Sequence, residues 1–391
     1  MLTKNSMKNS LDKIETKLTG RDIICISSMP YGEMWTRKQR LMTLLAEMGN
    51  RVLYAEPADP MFASTGAKGR FSSSHERKGE NLFILKPRGR LPFARFNFMR
   101  GLNLNLYINE VVKYAQKLEF KNPILFTYLP VIHAHSPFMQ VVDKFPDRSL
   151  LVYDCVDEHS ETIGYSDSAA ATVHQWDLDL TKNADVVFVT AKGLYDDRKY
   201  LNENLFHSPN GVDVDHFSKA LDDSTPLATD IASIPEPRIG FVGSLSDWID
   251  YNLIAGIARN NPNCNVVLVG PLKRGLKPVE FEGLDNIHLL GKKTLDELPS
   301  YLKGFACGIN PFKRVGISEK VNPLKVYEYL AAGLPVVSID MPEVMPLSDV
   351  VYIARDDEQF LEGVNKVLSG KFAPDPEKLK IVLTRHDWNV I

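Results

Sequence analysis

Apolar and polar positions along the chain form two repeating kinds of segment. Short runs rich in Val, Ile, Leu and Phe, such as residues 22–28, 51–57 and 122–130, predict buried strands. Between such runs the apolar residues recur at helical spacing, as in residues 37–49, where Gly49 marks the end of a predicted helix. Strands that alternate with helices are typical of parallel α/β sheets, so the sequence predicts this fold class.

A polar stretch divides the strand-like runs into two series. Residues 218–237, SKALDDSTPLATDIASIPEP, are rich in proline and acidic residues and lack periodicity, which is typical of a linker. We therefore expect a polar N-terminal tail (residues 1–20), a first domain (residues 21–217), this linker, and a second domain (residues 238–391). The remaining predicted strands are residues 149–158, 184–193 and 204–213 in the first domain, and residues 238–244, 263–270, 286–291, 304–312, 335–340 and 350–354 in the second.

Length and composition agree with a two-domain cytoplasmic protein. A chain of 391 residues is longer than one typical core, and its 44% hydrophobic and 24% charged residues are ordinary for a globular protein. The net charge of −3 gives no support to a nucleic-acid binder. The four cysteines lie far apart in the sequence, so reduced, buried thiols are expected. Neither a signal peptide nor a membrane-spanning apolar run is predicted.

Residues 318–340, SEKVNPLKVYEYLAAGLPVVSID, carry the clearest local signals in the chain. Asn322 is a good N-cap, and Pro323 suits the first helical position because a proline has no N–H to leave unpaired there. Gly333 fits the left-handed residue that ends a helix, and the apolar VVSID after it predicts a buried parallel strand. The start of such a helix presents unpaired N–H groups that attract a phosphate.

Lys325 and Glu328 lie three residues apart on this predicted helix and therefore share a face. An ammonium there can meet a diphosphate, and a carboxylate deeper in the helix can accept both hydroxyls of a ribose. The pattern thus indicates a nucleotide clamp. An ordinary surface ion pair on an amphipathic helix is the alternative interpretation.

The same segment resembles the nucleotide-sugar-binding helix of family 4 glycosyltransferases. NPLKVYEYLAAGLPVV is similar to a bacterial subgroup that includes enzymes of teichuronic acid and other cell-envelope polysaccharide synthesis. The resemblance covers roughly residues 22–388 and implies the GT-B fold, in which two Rossmann-like parallel-sheet domains face each other across a cleft. It implies transfer with retention from a nucleotide-sugar, with UDP as the expected base, to an envelope saccharide or lipid-linked acceptor. The nucleotide-sugar is then a substrate, and neither a cofactor nor a divalent metal is expected.

For the donor, the resemblance places Gly243 and Ser244 beside the diphosphate, where a glycine lets backbone N–H groups approach. Many relatives carry cations just after this turn, but this chain has Asp247 there. Lys325 is therefore the strongest expected source of positive charge, and the other candidates are Lys273, Arg274, Lys313 and Arg314. Solvated loop charges are the alternative interpretation of these two Lys-Arg pairs.

Family members often carry two glutamates eight residues apart in this region. Glu328 matches the second of them, whereas Lys320 stands in place of the first. A lysine that faces the donor sugar would suit a uronic acid. Asn322, at the start of the helix, completes the expected donor site.

Asp157 and Glu158 follow a predicted strand of the first domain and are the candidate catalytic carboxylates, with His159 beside them. Asp157 is the best positional match to a histidine that contacts the donor sugar in many relatives. A structural cap of the following turn is the alternative role for Asp157.

The loop after the first strand is expected to bind the acceptor through Tyr31, Gly32 and Arg37. Trp35 in the same loop fits either this pocket or the core. A basic residue near a helix start favours an acidic acceptor or a lipid phosphate.

Residues 81–109 contain five basic residues and no acidic one, interleaved with Phe93, Phe96 and Phe98. Such a segment indicates contact with the inner membrane surface through residues 86–100. A basic loop that packs its phenylalanines inward is the alternative.

Two other functions stay open from the sequence. A non-catalytic GT-B partner in a polysaccharide assembly complex would explain Lys320 and the acidic residues after Gly243. A sugar-nucleotide epimerase would share the fold but needs further acids and bases. A dehydrogenase is excluded because Gly240 and Gly243 do not form the GxGxxG fingerprint.

Overall fold

The computed structural model describes residues 18–32, 35–59, 71–93, 96–132, 136–161 and 166–391, without the side chains of residues 316 and 317. Most of the predicted N-terminal tail therefore lies outside the described residues. The chain divides into two compact units. Unit 1 comprises the chain up to Val189 together with Tyr195–His207, and unit 2 comprises Thr190–Leu194 and Ser208–Ile391.

Unit 1 is built on an eight-stranded sheet with the strand order β10-β9-β8-β5-β1-β2-β4-β3. The strands are β1 (Asp22–Ile26), β2 (Arg51–Ala55), β3 (Ser74–Lys78), β4 (Leu82–Lys86), β5 (Ile124–Thr127), β8 (Leu150–Cys155), β9 (Val186–Val189) and β10 (Leu205–His207), while β6 (Val131–Ile132) and β7 (Ser136–Pro137) form a separate pair. All neighbours in the large sheet are parallel except the edge pair β3–β4. The central β1 is buried along its whole length, as its continuous apolar run predicts.

The described helices of unit 1 fill the connections between parallel strands. They are α1 (Arg37–Glu47), α2 (Asn97–Lys117), α3 (Met139–Val142), α4 (Asp167–Asn183) and α5 (Lys192–Arg198), whose first residues belong to unit 2. The predicted helix end at Gly49 is confirmed, since this residue has a φ of 88°. At its start, the Thr36 N–H donates to Gln39 Oε1 at 3.1 Å, a local bond that favours the helix over an extended chain.

Unit 2 contains a fully parallel six-stranded sheet with the order β13-β12-β11-β14-β15-β16. Its strands are β11 (Arg238–Val242), β12 (Asn265–Val269), β13 (Ile287–Gly291), β14 (Cys307–Asn310), β15 (Val336–Ile339) and β16 (Val351–Ala354). Its helices are α6 (Val214–Phe217), α7 (Thr229–Ala232), α8 (Tyr251–Asn260), α9 (Leu298–Leu302), α10 (Gly316–Glu319), α11 (Leu324–Ala331), α12 (Asp357–Leu368) and α13 (Pro376–Arg385). Strands, helices and order agree with the predicted parallel α/β class.

Each predicted strand contains one observed strand, and the sequence missed only the hairpin of β3 and β4 among the described strands of the large sheets. β3 has the sequence SHERK and is exposed over most of its length, so no apolar pattern marks it. β4 lies inside the segment interpreted as a membrane contact and is mostly buried.

The predicted linker is corrected by the structure. Residues 218–237 belong to unit 2, and Ala220, Ile231 and Ile234 are buried in its core. The boundary falls at His207 instead of residue 217. Three apolar anchors within a polar, proline-rich stretch are too sparse to give a helical or strand period.

All four cysteines are free and buried, as the sequence predicts. Cys25 and Cys155 lie in unit 1, and Cys264 and Cys307 lie in unit 2.

The connectivity of each sheet singles out one edge for ligand binding. The strand order reverses at β1, because the chain goes from β1 to β2 on one side and later enters β5 on the other. It reverses in the same way at β11, which lies between β12 and β14. In parallel sheets such a reversal opens a crevice beyond the carboxyl ends of the central strands. The loops after β1, β5 and β8 in unit 1, and after β11 and β14 in unit 2, are therefore the places to examine.

Candidate functional site

Helix α11 is fixed to the end of β11 by one aromatic side chain. The Tyr329 hydroxyl accepts the Val242 N–H at 2.7 Å. The Tyr329 ring packs against Gly308 of β14 so closely that an added Cβ there would lie 2.7 Å from a ring atom. Gly333, with a φ of 74°, follows the helix as predicted. These contacts fix the second half of α11 against the sheet. Because α11 follows β14 along the chain and leads to the parallel β15, its start lies at the carboxyl edge of the sheet.

Lys325 and Glu328 form an ion pair with a distance of 2.7 Å from Nζ to Oε2. The pair is not a simple surface contact, since Glu328 is only 4% exposed. Burial raises the pKa of Glu328, and the Lys325 ammonium opposes that rise. The buried Glu328 carboxylate is therefore held next to the Lys325 ammonium on α11, the helix that was predicted from the sequence.

Asn322 does not cap this helix, which corrects the prediction. Helix α11 begins at Leu324, and Pro323 occupies the cap position. The Asn322 side-chain amide instead donates to Glu343 at 3.0 Å, while the main-chain carbonyl oxygen of Asn322 accepts from the Asn210 side chain at 2.9 Å. Asn322 therefore anchors the loop before the helix, which is a structural role.

Gly243 is required by packing and does not offer its own N–H to a ligand. That N–H donates to the Val269 carbonyl at 2.9 Å. A Cβ at Gly270 would lie 1.8 Å from the Gly243 oxygen, and a Cβ at Gly243 would lie 2.9 Å from the Phe241 ring. Ser244 is half-buried, and its side chain makes no hydrogen bond with the part of the chain that the structure describes. Of the predicted pair, Ser244 alone keeps a group available for a ligand.

Arg314 is also committed to structural contacts, which corrects its assignment as a donor cation. Its guanidinium binds Asp340 at 3.1 Å and Asp357 at 2.8 Å, and donates to the Ala354 carbonyl at 3.2 Å. Two carboxylates already balance its charge. The adjacent Lys313, which is also a candidate from the sequence, makes no ion pair within the described residues.

Lys320 lies on the loop between α10 and α11 and is half-buried. A Cβ added at Gly193 would lie 3.2 Å from the Lys320 Cγ. The aliphatic part of Lys320 therefore packs against backbone at the start of α5. The expected contact of Lys320 with the donor sugar stays a prediction.

In unit 1, Glu158 belongs to a buried ionic network and is corrected as a catalytic candidate. Its carboxylate accepts from Arg198 at 2.9 Å and from the Ser160 hydroxyl at 2.7 Å. Arg198 also binds Asp177, which accepts from the Tyr153 hydroxyl. Glu158, Arg198 and Asp177 are each less than 5% exposed. With its oxygens engaged inside the core, Glu158 holds the unit together.

Arg37 is also buried, and its side chain does not contact an acceptor as predicted. Its Nε binds the Asp154 carboxylate at 2.8 Å, and both side chains are withdrawn from solvent. Tyr31 is half-buried, with its hydroxyl 2.9 Å from that of Thr43 in α1. Gly32 is exposed, with a φ of 86°. Tyr31 and Gly32 stay in the loop after β1, and Arg37 leaves the candidate site.

Asp157 stands at the end of β8 with an exposed side chain. Desolvation by the surrounding protein raises its pKa to about 6, and the nearby Lys38 ammonium opposes this rise. Lys38 donates to the Ser28 hydroxyl at 2.7 Å, and burial lowers the pKa of its ammonium. The sequence placed emphasis on Arg37, whereas its neighbour Lys38 carries the charge at this edge.

His159 lines a cavity of about 330 Å³ beyond the carboxyl ends of β1 and β5. Burial lowers the pKa of this imidazole to about 4, so it is neutral at physiological pH. Ser28, Thr127 and Arg90 line the same cavity. From the sequence, His159 was noted only as a neighbour of Asp157. The cavity itself was not predicted, because most of its other lining residues lie far from His159 along the chain.

The basic segment departs from its predicted character. Lys86 pairs with Glu76, and Arg88 pairs with Glu110 of α2, so two of its five charges are balanced. The alternative in which the phenylalanines pack inward is wrong, because Phe93, Phe96 and Phe98 are exposed by 63%, 53% and 78%. Arg95 lies outside the described residues.

Within the described ranges, no group of three or more His, Cys, Asp or Glu side chains is arranged to hold a metal ion. The expectation that no metal is required stays a prediction. Among the helices that the structure describes, none is long and apolar enough to cross a membrane.

Comparison with known proteins adds a family and a relative. Residues 236–370 match the family described as Glycosyl transferases group 1. The chain is 26% identical over 261 residues to the Bacillus subtilis protein TuaH, which is described as a teichuronic acid biosynthesis glycosyltransferase. The match covers 62% of this chain and 64% of TuaH, less than two thirds of the length of that relative.

Solved structures extend the likeness to nearly the whole chain. Sucrose-phosphate synthase from Thermosynechococcus elongatus superposes with a TM-score of 0.68 at 14% identity, covering 94% of this chain and 96% of that one. Anabaena HepE in complex with UDP gives a TM-score of 0.61 at 14% identity, with the same coverage of 94% and 96%. At such identities the likeness concerns the fold, and it confirms the predicted GT-B architecture of two Rossmann-like units.

Proposed function

We propose that this chain, which has the GT-B fold and whose residues 236–370 match the group 1 family, is a glycosyltransferase. It moves a sugar from a UDP-sugar to a cell-envelope saccharide or lipid-linked acceptor with retention. The observation that carries the proposal is the buried Glu328, held by Lys325 on a helix that starts at the carboxyl edge of the sheet. The description of TuaH as a teichuronic acid biosynthesis enzyme supports the acceptor class. The structure of HepE in complex with UDP supports UDP as the base.

The donor is held by groups of unit 2. Glu328 accepts the two ribose hydroxyls, since a carboxylate has lone pairs for both, and the Lys325 ammonium opposes the rise in its pKa that burial causes. The N-terminus of α11, the Ser244 hydroxyl and the Lys325 ammonium bind the diphosphate. Lys313 supplies the further cation that Arg314, fixed by two carboxylates, does not.

Departure of UDP is assisted by the same cations, because they stabilise the charge that grows on the leaving diphosphate. We assign no covalent nucleophile and infer a front-face displacement. Asp157 takes the proton of the acceptor hydroxyl, and its pKa of about 6 suits a base near neutral pH. Lys38 keeps this carboxylate charged. Neither a cofactor nor a metal takes part in the proposed reaction.

Lys320 selects a donor with a carboxylate on its sugar. It replaces the first glutamate of the family pair, which would repel a uronic acid. The preference is measured by comparing turnover of UDP-glucuronic acid and UDP-glucose by the wild type and by Lys320→Glu. Equal turnover of both donors by the wild type would remove this part of the proposal.

The nucleotide site is tested by calorimetric titration of UDP into the wild type and into Glu328→Ala. We expect the substitution to weaken UDP at least tenfold, about 1.4 kcal/mol. Glu362→Ala is the matched control, because Glu362 forms a helical ion pair with Lys366 on an exposed face. This control leaves UDP affinity unchanged.

Failure of the wild type to bind UDP, GDP or ADP would refute the donor site and favour the non-catalytic partner. If UDP binds, incubation with a UDP-sugar separates the remaining functions. Release of UDP supports sugar transfer to water or acceptor, whereas conversion of the sugar to its epimer supports the epimerase alternative.

We also infer that the chain docks on an anionic membrane through residues 86–100. Phe93, Phe96 and Phe98 expose aromatic surface within six residues at the start of α2. Since ion pairs balance Lys86 and Arg88, the aromatic side chains carry most of this contact. An exposed aromatic cluster beside basic residues fits the interface of a bilayer with acidic headgroups.

The membrane contact is measured by co-sedimentation with vesicles that contain phosphatidylglycerol. We expect the wild type to bind and a Phe96→Ser, Phe98→Ser variant to remain in the supernatant. Phe206→Ser, which removes an exposed phenylalanine of β10, is the control and keeps binding. Equal sedimentation of wild type and double variant would contradict the assignment.

A further inference from the structure

A cavity of unit 1 takes no part in the proposed donor chemistry. It has a volume of about 330 Å³ and lies beyond the carboxyl ends of β1 and β5. Small-molecule pockets span about 300–1,000 Å³, so this one matches a group the size of a single sugar. Phe138 and Tyr107 contribute aromatic walls, and Ser28 and Thr127 bring hydroxyl-bearing side chains.

The charges around this cavity are positive. Arg90 lines it, and no aspartate or glutamate occurs among the lining residues that the structure describes. His159 adds no charge at neutral pH, since burial lowers its pKa to about 4. Lys38 stands one hydrogen bond outside the lining, donating to the Ser28 hydroxyl at 2.7 Å.

Two carboxylates nearby act on these cations without entering the lining. Asp59 opposes the fall in the pKa of Arg90 that burial causes. Asp157 does the same for Lys38. The guanidinium has thus lost part of its hydration inside the unit, and an anionic ligand would add charge-assisted hydrogen bonds to the interactions that Arg90 already makes.

Arginine binds flat, two-oxygen anions through parallel N–H donors, which a lysine cannot do. The hydroxyls of Ser28 and Thr127 and the neutral imidazole of His159 match the alcohol groups of a sugar. We propose that this cavity binds the sugar unit of the acceptor that bears an anionic group, a carboxylate or a phosphate, with Arg90 on that group. This assignment of an acceptor rests on the proposed glycosyl transfer.

The test measures binding to the full chain by ligand-detected NMR, which reports weak binding, in samples that contain no membranes. The probes are glucuronate, glucose 6-phosphate and neutral glucose. Arg90→Gln removes the charge, and Arg90→Lys keeps the charge without the paired donors. Arg88→Gln is the matched control, because Arg88 lies two residues away, pairs with Glu110 and does not line the cavity.

We expect at least one of the two anionic probes to bind at least tenfold tighter than glucose, and which of them does so identifies the anionic group. Arg90→Gln should abolish the preference, Arg90→Lys should reduce it, and Arg88→Gln should retain it. Equal binding of the three probes, no binding of any, or a preference that survives Arg90→Gln would each overturn the assignment.

Thermal unfolding and UDP titration of the same samples distinguish loss of the anion site from loss of the fold or of the donor site. If Arg90→Gln lowers the unfolding temperature so far that the variant is not folded, the Arg90→Lys result decides instead. Normal UDP affinity without any anion preference removes the acceptor cavity and leaves the donor site standing. Loss of UDP binding by the wild type removes the proposed transfer, while a measured anion preference would still stand.

Discussion

The most informative perturbation concerns Glu158, since sequence and structure assign it different roles. Arg198→Met would leave the Glu158 and Asp177 carboxylates buried without their shared counter-charge. Breaking a buried ion pair in this way costs about 3–5 kcal/mol of the free energy of unfolding. Glu158→Gln is milder, because Arg198 keeps its pairing with Asp177. The loss of one hydrogen bond to a charged group costs about 1.5–3 kcal/mol.

Urea unfolding followed by tryptophan fluorescence measures these costs. Trp35 and Trp176 report on unit 1, so the transition of this unit is resolved by replacing the two tryptophans of unit 2 with phenylalanine. The double variant Glu158→Gln, Arg198→Met should lose less stability than the sum of the single losses, because one of the two stranded carboxylates is gone.

Activity then decides between the roles. If Glu158 is structural, folded Glu158→Gln turns over the UDP-sugar at the rate of the wild type. If Glu158 is catalytic, Glu158→Gln instead lowers kcat by about a hundredfold or more. Unchanged stability together with such a loss of rate would refute the structural assignment and restore the prediction made from the sequence.

Three further results are expected. Lys38→Met raises the pKa of Asp157 above about 6, so the acidic limb of the pH profile of kcat/KM moves to higher pH. Gly308→Ala places a Cβ 2.7 Å from the packed ring, costs about 1–3 kcal/mol and weakens UDP, while Gly256→Ala in α8 does neither; calorimetry and urea unfolding check both. Burial lowers the pKa of His159 from 6.5 to about 4, so its protonation on unfolding removes stability as pH falls between those values; His159→Asn loses this part in pH-dependent unfolding.

The elements that were predicted correctly are those whose signals are local. The clamp helix needs only its glycine stop, its apolar period and the strand that follows, all within residues 318–340. The central parallel strands β1, β11 and β15 are buried on both faces, so each appears as an apolar run. Lys325 and Glu328 meet because a helix brings residues three apart together.

The errors concern charged side chains whose partners lie far away along the chain. Arg37 finds Asp154, 117 residues later, and Glu158 finds Arg198, 40 residues later. An arginine beside a strand end reads as a ligand group until its carboxylate is known. Local patterns contain no information about such pairs, and the cavity around Arg90 was invisible for the same reason.

The burial of every native thiol has a practical consequence for watching this protein at work. Burial raises the pKa of Cys264, and raises that of Cys307 to about 12, so neither is a ready thiolate at neutral pH. A cysteine introduced at Tyr200, which is 86% exposed, and another at Val390, which is 60% exposed, would then react selectively with a maleimide dye. With a donor dye on one of these cysteines and an acceptor dye on the other, energy transfer would report the distance between the two labelled positions in real time as UDP is added.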